Sequence, residues 1–251
     1  MKYLIKVMSV MLVVASIYGF KNPDRKNKSK NAIDWNGVYK GKQIRDGKET
    51  VFVLYLNTDQ TFTLQFIGEG DTSSTSSNGS LSWNKTGDQV RLINAENKDK
   101  SLYKLQENAL EKVIETKKSE VKTESLSFQK IDLQEIKDKY WRLIEINKKS
   151  LSEDSQSGTY IFLNQSDNGI RGSSGCNAFN GYYELEEAKI KISKVAATLK
   201  ACLDMETENQ LFRTFQMVDN YTISADGQHL SFQKGKTVLA RFEVDYLKII
   251  K

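Results

Sequence analysis

Between residues 31 and 130 the chain alternates apolar and polar residues in short blocks. Phe62, Leu64 and Phe66 interleave with Thr61, Thr63 and Gln65, and the pairs Leu81/Trp83 and Val90/Leu92 repeat the pattern. A period of two marks a strand with one face in a core. Trp35–Gly41, Leu102–Leu105, Ala109–Ile114 and Leu126–Lys130 add further strands, with turn residues such as Asp46-Gly47 and Thr86-Gly87-Asp88 between them. One run stands apart: Val51–Leu56 reads VFVLYL and is apolar throughout. Gly68–Gly79, rich in Gly, Ser and Thr, and the charged stretch 117–124 read as loops. Strands at such short intervals predict an antiparallel barrel or sandwich.

After residue 130 the pattern changes. Leu133, Ile136 and Lys137 fall at helical spacing and predict a short helix over 131–139. Strands are predicted at Tyr140–Ile146, Tyr160–Leu163, Ile170–Gly172, Tyr182–Leu185 and Ile190–Ile192. Three more follow at Tyr221–Ser224, Leu230–Gln233 and Val238–Val244. Asp204–Val218 carries an apolar stripe of Leu211, Phe212, Phe215 and Val218, the spacing of a helix face packed on a core. Asp204 is its candidate N-cap, and Glu206 and Glu208 sit in the first turn, where they read as solvated charge.

The second half is organised around Gly172–Cys202. Gly172, Gly175, Asn177 and Gly181 predict a bent backbone, since Gly and Asn accept positive φ at low cost. Asn177 reads as a structural residue, in the left-handed region or bonded to backbone, with a ligand contact as the lesser alternative. Both cysteines of the chain, Cys176 and Cys202, lie here. In an exported chain they suggest one disulfide, worth roughly 3–4 kcal/mol for a loop of about 25 residues. Two buried free thiols are the alternative.

The N-terminus predicts export. Lys2 and Lys6 precede an apolar run, Val7–Ile17, too short to span a bilayer as a helix, and a basic segment follows. Residues 1–20 are expected to be a cleaved signal peptide and 21–33 a basic flexible tail. The membrane enters only through the signal segment, if uncleaved. Residues 1–30 hold seven Lys and Arg against one Asp, so 31–251 carry a formal charge of −1 out of the chain's +5. The body has no basic excess, and nucleic acid is not an expected partner.

Two resemblances give these halves an identity. Residues 34–131 resemble the NlpE N-terminal domain of copper-resistance and envelope-stress proteins. The resemblance rests on Asp34-Trp35-x-Gly37-x-Tyr39-x-Gly41, Leu54-x-Leu56-x-x-Asp59-x-x-Phe62-x-Leu64, Gly79-x-Leu81-x-Trp83 and Val90-x-Leu92. It implies a lipocalin-like small antiparallel β-barrel. The family's Cys-x-x-Cys segment is absent around residues 43–50, so thiolate copper binding does not carry over. Residues 140–251, after a linker at 132–139, resemble a META domain of the HslJ-like family. That likeness rests on Trp141-x-Leu143, Gly172-x-x-Gly175-Cys176-Asn177-x-Phe179-x-Gly181-x-Tyr183, Ala197-Thr198-x-x-Ala201-Cys202, Glu208 with Phe212, and Leu230-x-Phe232. It implies an α+β fold with an antiparallel sheet and one packed helix. Both point to the periplasm or outer envelope of a Gram-negative bacterium, without a lipid-bearing cysteine near residue 20.

Chemistry is sparse. His229 is the only histidine and falls in a predicted hairpin, so any Ser-His-Asp or Cys-His set would have to use it. No phosphate loop, dinucleotide fingerprint or zinc-protease motif is present. The expected protein is therefore not an enzyme, uses no cofactor or metal, and binds or senses an envelope component, an envelope protein or a small apolar ligand. One alternative is a lipocalin-like binder of a small apolar ligand. Trp35, Phe66 and Trp83 would line it inside the barrel, and Tyr183 is a candidate lining residue of a groove in the second half. The other is thiol or metal chemistry at Cys176 and Cys202.

Overall fold

Eight strands following one another in the chain close into an antiparallel barrel: β1 (Gly37–Arg45), β2 (Lys48–Leu56), β3 (Thr61–Gly68), β4 (Thr75–Trp83), β5 (Gln89–Asn94), β6 (Lys100–Leu105), β7 (Ala109–Glu115) and β8 (Val121–Lys130). Tyr39 opposite Lys130 and Gly41 opposite Phe128 join the first strand to the last. The computed structural model describes residues 34–45, 47–71, 73–115, 121–152, 158–203 and 205–248. The expected signal peptide and basic tail lie outside them.

Two predicted loops are in part strands. β4 begins at Thr75, inside the Gly/Ser/Thr stretch, because its small polar residues pair with β3 while facing solvent. Gly79 is required there, since a Cβ would lie 2.0 Å from the Ile93 carbonyl oxygen. Within the charged stretch, residues from Val121 on belong to β8. The inward side chains of the barrel, among them Tyr39, Leu54, Leu92, Tyr103, Leu110 and Phe128, are buried and pack on one another. An eight-stranded barrel is just wide enough for its side chains to fill.

The expected helix over 131–139 is not formed; the segment is a pair of turns. Asp132 Oδ1 accepts from the Gln134 N–H at 2.9 Å, and Glu135 Oε1 from the Lys137 N–H at 3.0 Å. Side chains that bond backbone two residues on compete with helical hydrogen bonds. The turns bury Ile136, whose carbonyl accepts from the Trp141 indole N–H at 2.8 Å.

The second sheet comprises β9 (Tyr140–Ile146), β10 (Lys149–Ser150), β11 (Thr159–Asn164), β12 (Gly169–Ser174), β13 (Ala178–Glu186), β14 (Lys189–Ala197), β15 (Asn220–Ile223), β16 (His229–Lys234) and β17 (Thr237–Val244). β17 pairs back onto β9, so this sheet also curls round on itself. The helix α1 (Glu206–Met217) touches β9, β12, β14 and β17, strands on opposite sides of the ring, and so lies across the enclosed core. Strands β13 and β14 are longer than their predicted cores, and the bend expected throughout 172–183 shrinks to Gly175–Asn177.

The all-apolar run of β2 has a plain cause: both of its faces are buried. Leu54 and Leu56 turn into the barrel, with Phe52 against them. Val53, fully buried, turns outward into the cluster that holds Trp141 and Tyr246, with Tyr55 packed against it. Val38 of β1 joins the same cluster. A strand covered on two sides loses its polar alternation. Lys40 shares this outer face. Burial, and then the nearby Lys42, lower its pKa to about 8, against the pull of Asp245 and Glu49.

Below that value the folded protein holds a desolvated ammonium, and the unfolded chain releases its proton only near an ordinary lysine value. Stability should therefore rise with pH from about 8 towards 10.5, as the folded state sheds the proton first. Lys40→Met should raise stability at pH 7 by about 1–2 kcal/mol, and the gain should fade as pH approaches the upper end of that window. Urea unfolding of both proteins at pH 7 and pH 10 checks this; an equal difference at the two values would exclude it.

Candidate functional site

A break in β14 shapes the site. Its inward residues are first Ile190 and Ile192, then Val195 and Ala197, a change of parity that needs one extra residue. The register with β13 shifts between Asn180 and Tyr182, and Lys194 takes a left-handed φ of 52°. This is a β-bulge, which bends a strand and re-aims its side chains. Gly181 lies opposite, where a Cβ would stand 3.0 Å from the Ser193 carbonyl oxygen and 3.1 Å from Val195 Cγ2. Gly172 is fixed more tightly still, with a Cβ position 2.0 Å from the Tyr160 carbonyl oxygen.

The helix supplies the other wall. Leu211 and Phe215 face the core, Phe212 is half-buried, and Phe179 of β13 packs on both rings at 5.8 and 5.2 Å. Between helix and strand lies a groove of about 590 Å³ lined by the apolar Ile192, Val195, Ala197, Leu199, Phe212 and Phe215 together with the polar Ser193, Lys194 and Gln216. That volume is in the range of ligand sites.

One end of the groove is formed by Thr198–Leu203, held in place by two devices. The first is the disulfide, Cys176 to Cys202, with Cα atoms 6.1 Å apart. The second is Asn177, buried at 1 % exposure. Its Oδ1 accepts from the Thr198 hydroxyl at 2.7 Å and the Lys200 N–H at 2.8 Å. Its Nδ2 donates to Glu208 Oε1 at 3.0 Å and to the Lys200 carbonyl at 3.3 Å. An asparagine amide has two donor hydrogens and two acceptor lone pairs, and all four are used. Asn177 does not adopt the left-handed region; Gly175 does, at φ 96°.

Glu208 was expected to be solvated and is not. It is 7 % exposed, and Oε2 accepts from the Ser174 hydroxyl and from the Asn177 N–H at 3.2 Å. Its spacing to Leu211 and Phe215 already places it on the buried stripe, a signal that its neighbour Glu206 obscured. A buried carboxylate is tolerable when hydrogen-bonded and near a helix N-terminus. The expected cap, Asp204, lies outside the described residues; Met205 occupies the cap position and makes no side-chain capping bond.

A family model of the NlpE N-terminal domain matches residues 45–124, and one of the META domain matches 134–246. The chain joins an NlpE N-terminal domain to a META domain. Among solved structures, the Cpx pathway activator NlpE from Escherichia coli is similar at 14% identity, TM-score 0.27, over 68% of this chain and 98% of that one. A putative lipoprotein from Shewanella oneidensis is 27% identical at TM-score 0.28, over 39% of this chain and 95% of that one. A protein from Burkholderia xenovorans is 17% identical at TM-score 0.37, over 53% of this chain and 98% of that one. No curated protein matches the chain. The two domains together fit an exported, envelope-associated protein.

The groove, bulge, bridge and Asn177–Glu208 contact all belong to the META domain. The other candidate residues fall elsewhere. Trp35 and Trp83 meet at 5.2 Å beside the barrel core, and Phe66 packs on Phe52 at 5.6 Å, so these three share the NlpE-type barrel without joining the groove. Tyr183 is not a groove residue: it is 4 % exposed in the META core, and its hydroxyl donates to the Asn164 carbonyl at 2.9 Å. Alternation along β13 sends Tyr183 inward and Tyr182 out, where Lys194 lies over its ring at 5.7 Å. The thiol reading needs free sulfurs, and both are in the bridge. Among the described residues no three His, Cys, Asp or Glu are grouped to hold a metal. His229 opens β16 as an exposed residue opposite Glu243.

Asn177→Ala should lower stability by about 2–4 kcal/mol, because it strands Glu208 and the Lys200 backbone without partners. Thermal or urea unfolding measures it. In the native protein, intact mass should show no alkylation at Cys176 or Cys202 until reductant is added, and two alkyl groups afterwards.

Proposed function

We propose that this protein is a non-enzymatic component of the cell envelope, tied to stress or resistance, that binds an envelope component through the groove of its META domain. The carrying observation is the pairing of an apolar groove with a rigid rim. Leu199 lines the groove yet is 100 % exposed, and Leu203 beyond it is 112 % exposed. Solvent-facing leucines on a loop held by a disulfide and by a saturated asparagine are not left over from loose packing. Exposed apolar surface beside a concavity marks binding sites. A pre-formed rim also spares the ordering entropy that a mobile loop would lose on binding.

The reading places binding in the META domain rather than the barrel lumen, whose inward positions are occupied by side chains. It places the protein in the periplasm or outer envelope of a Gram-negative bacterium, in keeping with its two domain types.

A nonpolar fluorophore such as N-phenyl-1-naphthylamine tests the groove. The full chain should bind it with enhanced emission. Phe212→Arg and Val195→Arg should each weaken binding by about tenfold or more, while Trp83→Ala in the barrel should leave it unchanged. Circular dichroism of each variant confirms folding. Binding lost with Trp83→Ala and kept in both groove variants would move the site to the barrel and overturn the reading.

A further inference from the structure

We propose that the occupant of the groove is an extended peptide that adds to β14 as an extra strand; this rests on the groove reading above. The curled META sheet is well paired all the way round except at one place. β14 meets β15 through a single residue pair, Lys189 opposite Asn220, with backbone bonds from Ile190 to Asp219 and from Tyr221 to Ala188 beside it. Beyond that point β15 has not begun: the residues before Asn220 are Asp219, Val218 and the helix α1, so no strand lies opposite the rest of β14. Among the described residues, Ile192–Ala197 has no backbone partner on the side away from β13. The Thr198 N–H donates to the Ala178 carbonyl at 3.0 Å. By strand alternation, the N–H and C=O of the preceding Ala197 therefore point away from β13, at the open edge of the strand whose Val195 and Ala197 line the groove.

The groove thus has two unlike walls. One is a strand edge with free backbone donors and acceptors. The other is a helix face presenting Phe212 and Phe215. A lipid chain would use the second wall and leave the first unsatisfied. An extended peptide uses both: its main chain continues the ladder, and its alternate side chains enter the apolar space. This is the logic of strand addition, in which backbone bonds give affinity and pockets for every second side chain give selectivity. Exposed strand edges are normally blunted because they recruit other chains. Here the bulge at Lys194 limits the edge to a short length, and the pinned rim with Leu199 closes one end.

Charge narrows the occupant further. Lys200 follows Leu199 on the rim with its side chain exposed. The nearest helix carboxylates are engaged elsewhere: Glu208 with Asn177 and Ser174, and Glu206 with Lys149 at 3.7 Å. The fitting peptide has apolar residues at every second position and an acidic residue at one end.

A displayed library of random nine-residue peptides, selected against the immobilised full chain, supplies the probes. The enriched sequences should alternate apolar and polar residues and carry Asp or Glu towards one end. Synthetic copies should lose at least tenfold in affinity on N-methylation of every second amide, and little on methylation of the others. Phe212→Arg should abolish their binding, and Lys200→Glu should weaken it about fivefold. Enriched peptides without the alternation, insensitive to N-methylation, or unaffected by Phe212→Arg would overturn strand addition, and so would a failure to enrich any. If the fluorophore still binds in the groove while no such peptide is found, the groove stands as a site and only its assignment to a peptide falls. Binding of neither removes both.

Discussion

The META domain hangs on a buried glutamate. Glu208 sits on the core side of α1, where Asn177 and Ser174 donate to it. Asn177 cannot turn away, because its remaining bonds hold the Lys200 backbone and the Thr198 hydroxyl. One side chain therefore ties the β12–β13 bend, the start of the helix and the rim of the groove into one unit. The disulfide crosses the same three segments' neighbourhood and adds covalent closure. Removing either partner of a buried polar contact leaves an unsatisfied group, which is why such contacts specify a geometry as well as stabilise it.

A second constraint joins the domains. The barrel offers the outer face of β1 and β2, where Val38 and Val53 enter the same buried cluster as Trp141 and Tyr246. The Ile131 N–H bonds to the Val38 carbonyl at 2.8 Å, so the linker leaves the barrel along this face. A flexible tether would be expected to expose polar residues here. Instead the apolar joint accepts a half-buried lysine, Lys40, whose charge is disfavoured by its surroundings. That is a local loss set against a larger apolar gain, since each buried valine contributes on the order of 1.5–3 kcal/mol.

Much of this was legible in the sequence. Strict alternation at Phe62–Phe66 and the stripe Leu211–Phe215 name their elements without help from context, and the resemblance to the two families is matched by their family models. What escaped follows a physical rule: local pattern does not report which long-range contact a residue will find. VFVLYL reads as a core strand, but only the second domain explains why both its faces are apolar. Glu208 lies on the buried stripe by spacing, yet nothing nearby in the chain announces Asn177 as its partner, 31 residues before it. The bulge at Lys194 is invisible in composition, because a lysine in the left-handed region leaves no mark on periodicity beyond a change of parity. The short helix expected at 131–139 failed for the opposite reason. There the local competition between side chain and backbone outweighed a weak helical spacing.

The bulge and the open edge of β14 meet at one place. Were β14 regular, alternation would carry Ile190 and Ile192 on to Lys194 and Ala196 as the inward set, placing a lysine under Phe212 and Phe215. The extra residue sends Lys194 outward and brings Val195 and Ala197 in, which makes the groove apolar. The open edge has its own cause: β15 begins only at Asn220, so by antiparallel register the residues of β14 after Ile190 face Val218 and the end of α1 rather than a strand. The apolar lining thus arises from a single inserted residue, accommodated because Gly181 opposite has no side chain to obstruct it, while the open edge follows from the helix that precedes β15. A strand edge left open by accident would more naturally be polar and flat. This one is short, bent, walled by aromatic rings and closed at one end by a stapled loop, the features expected of an edge kept for a partner.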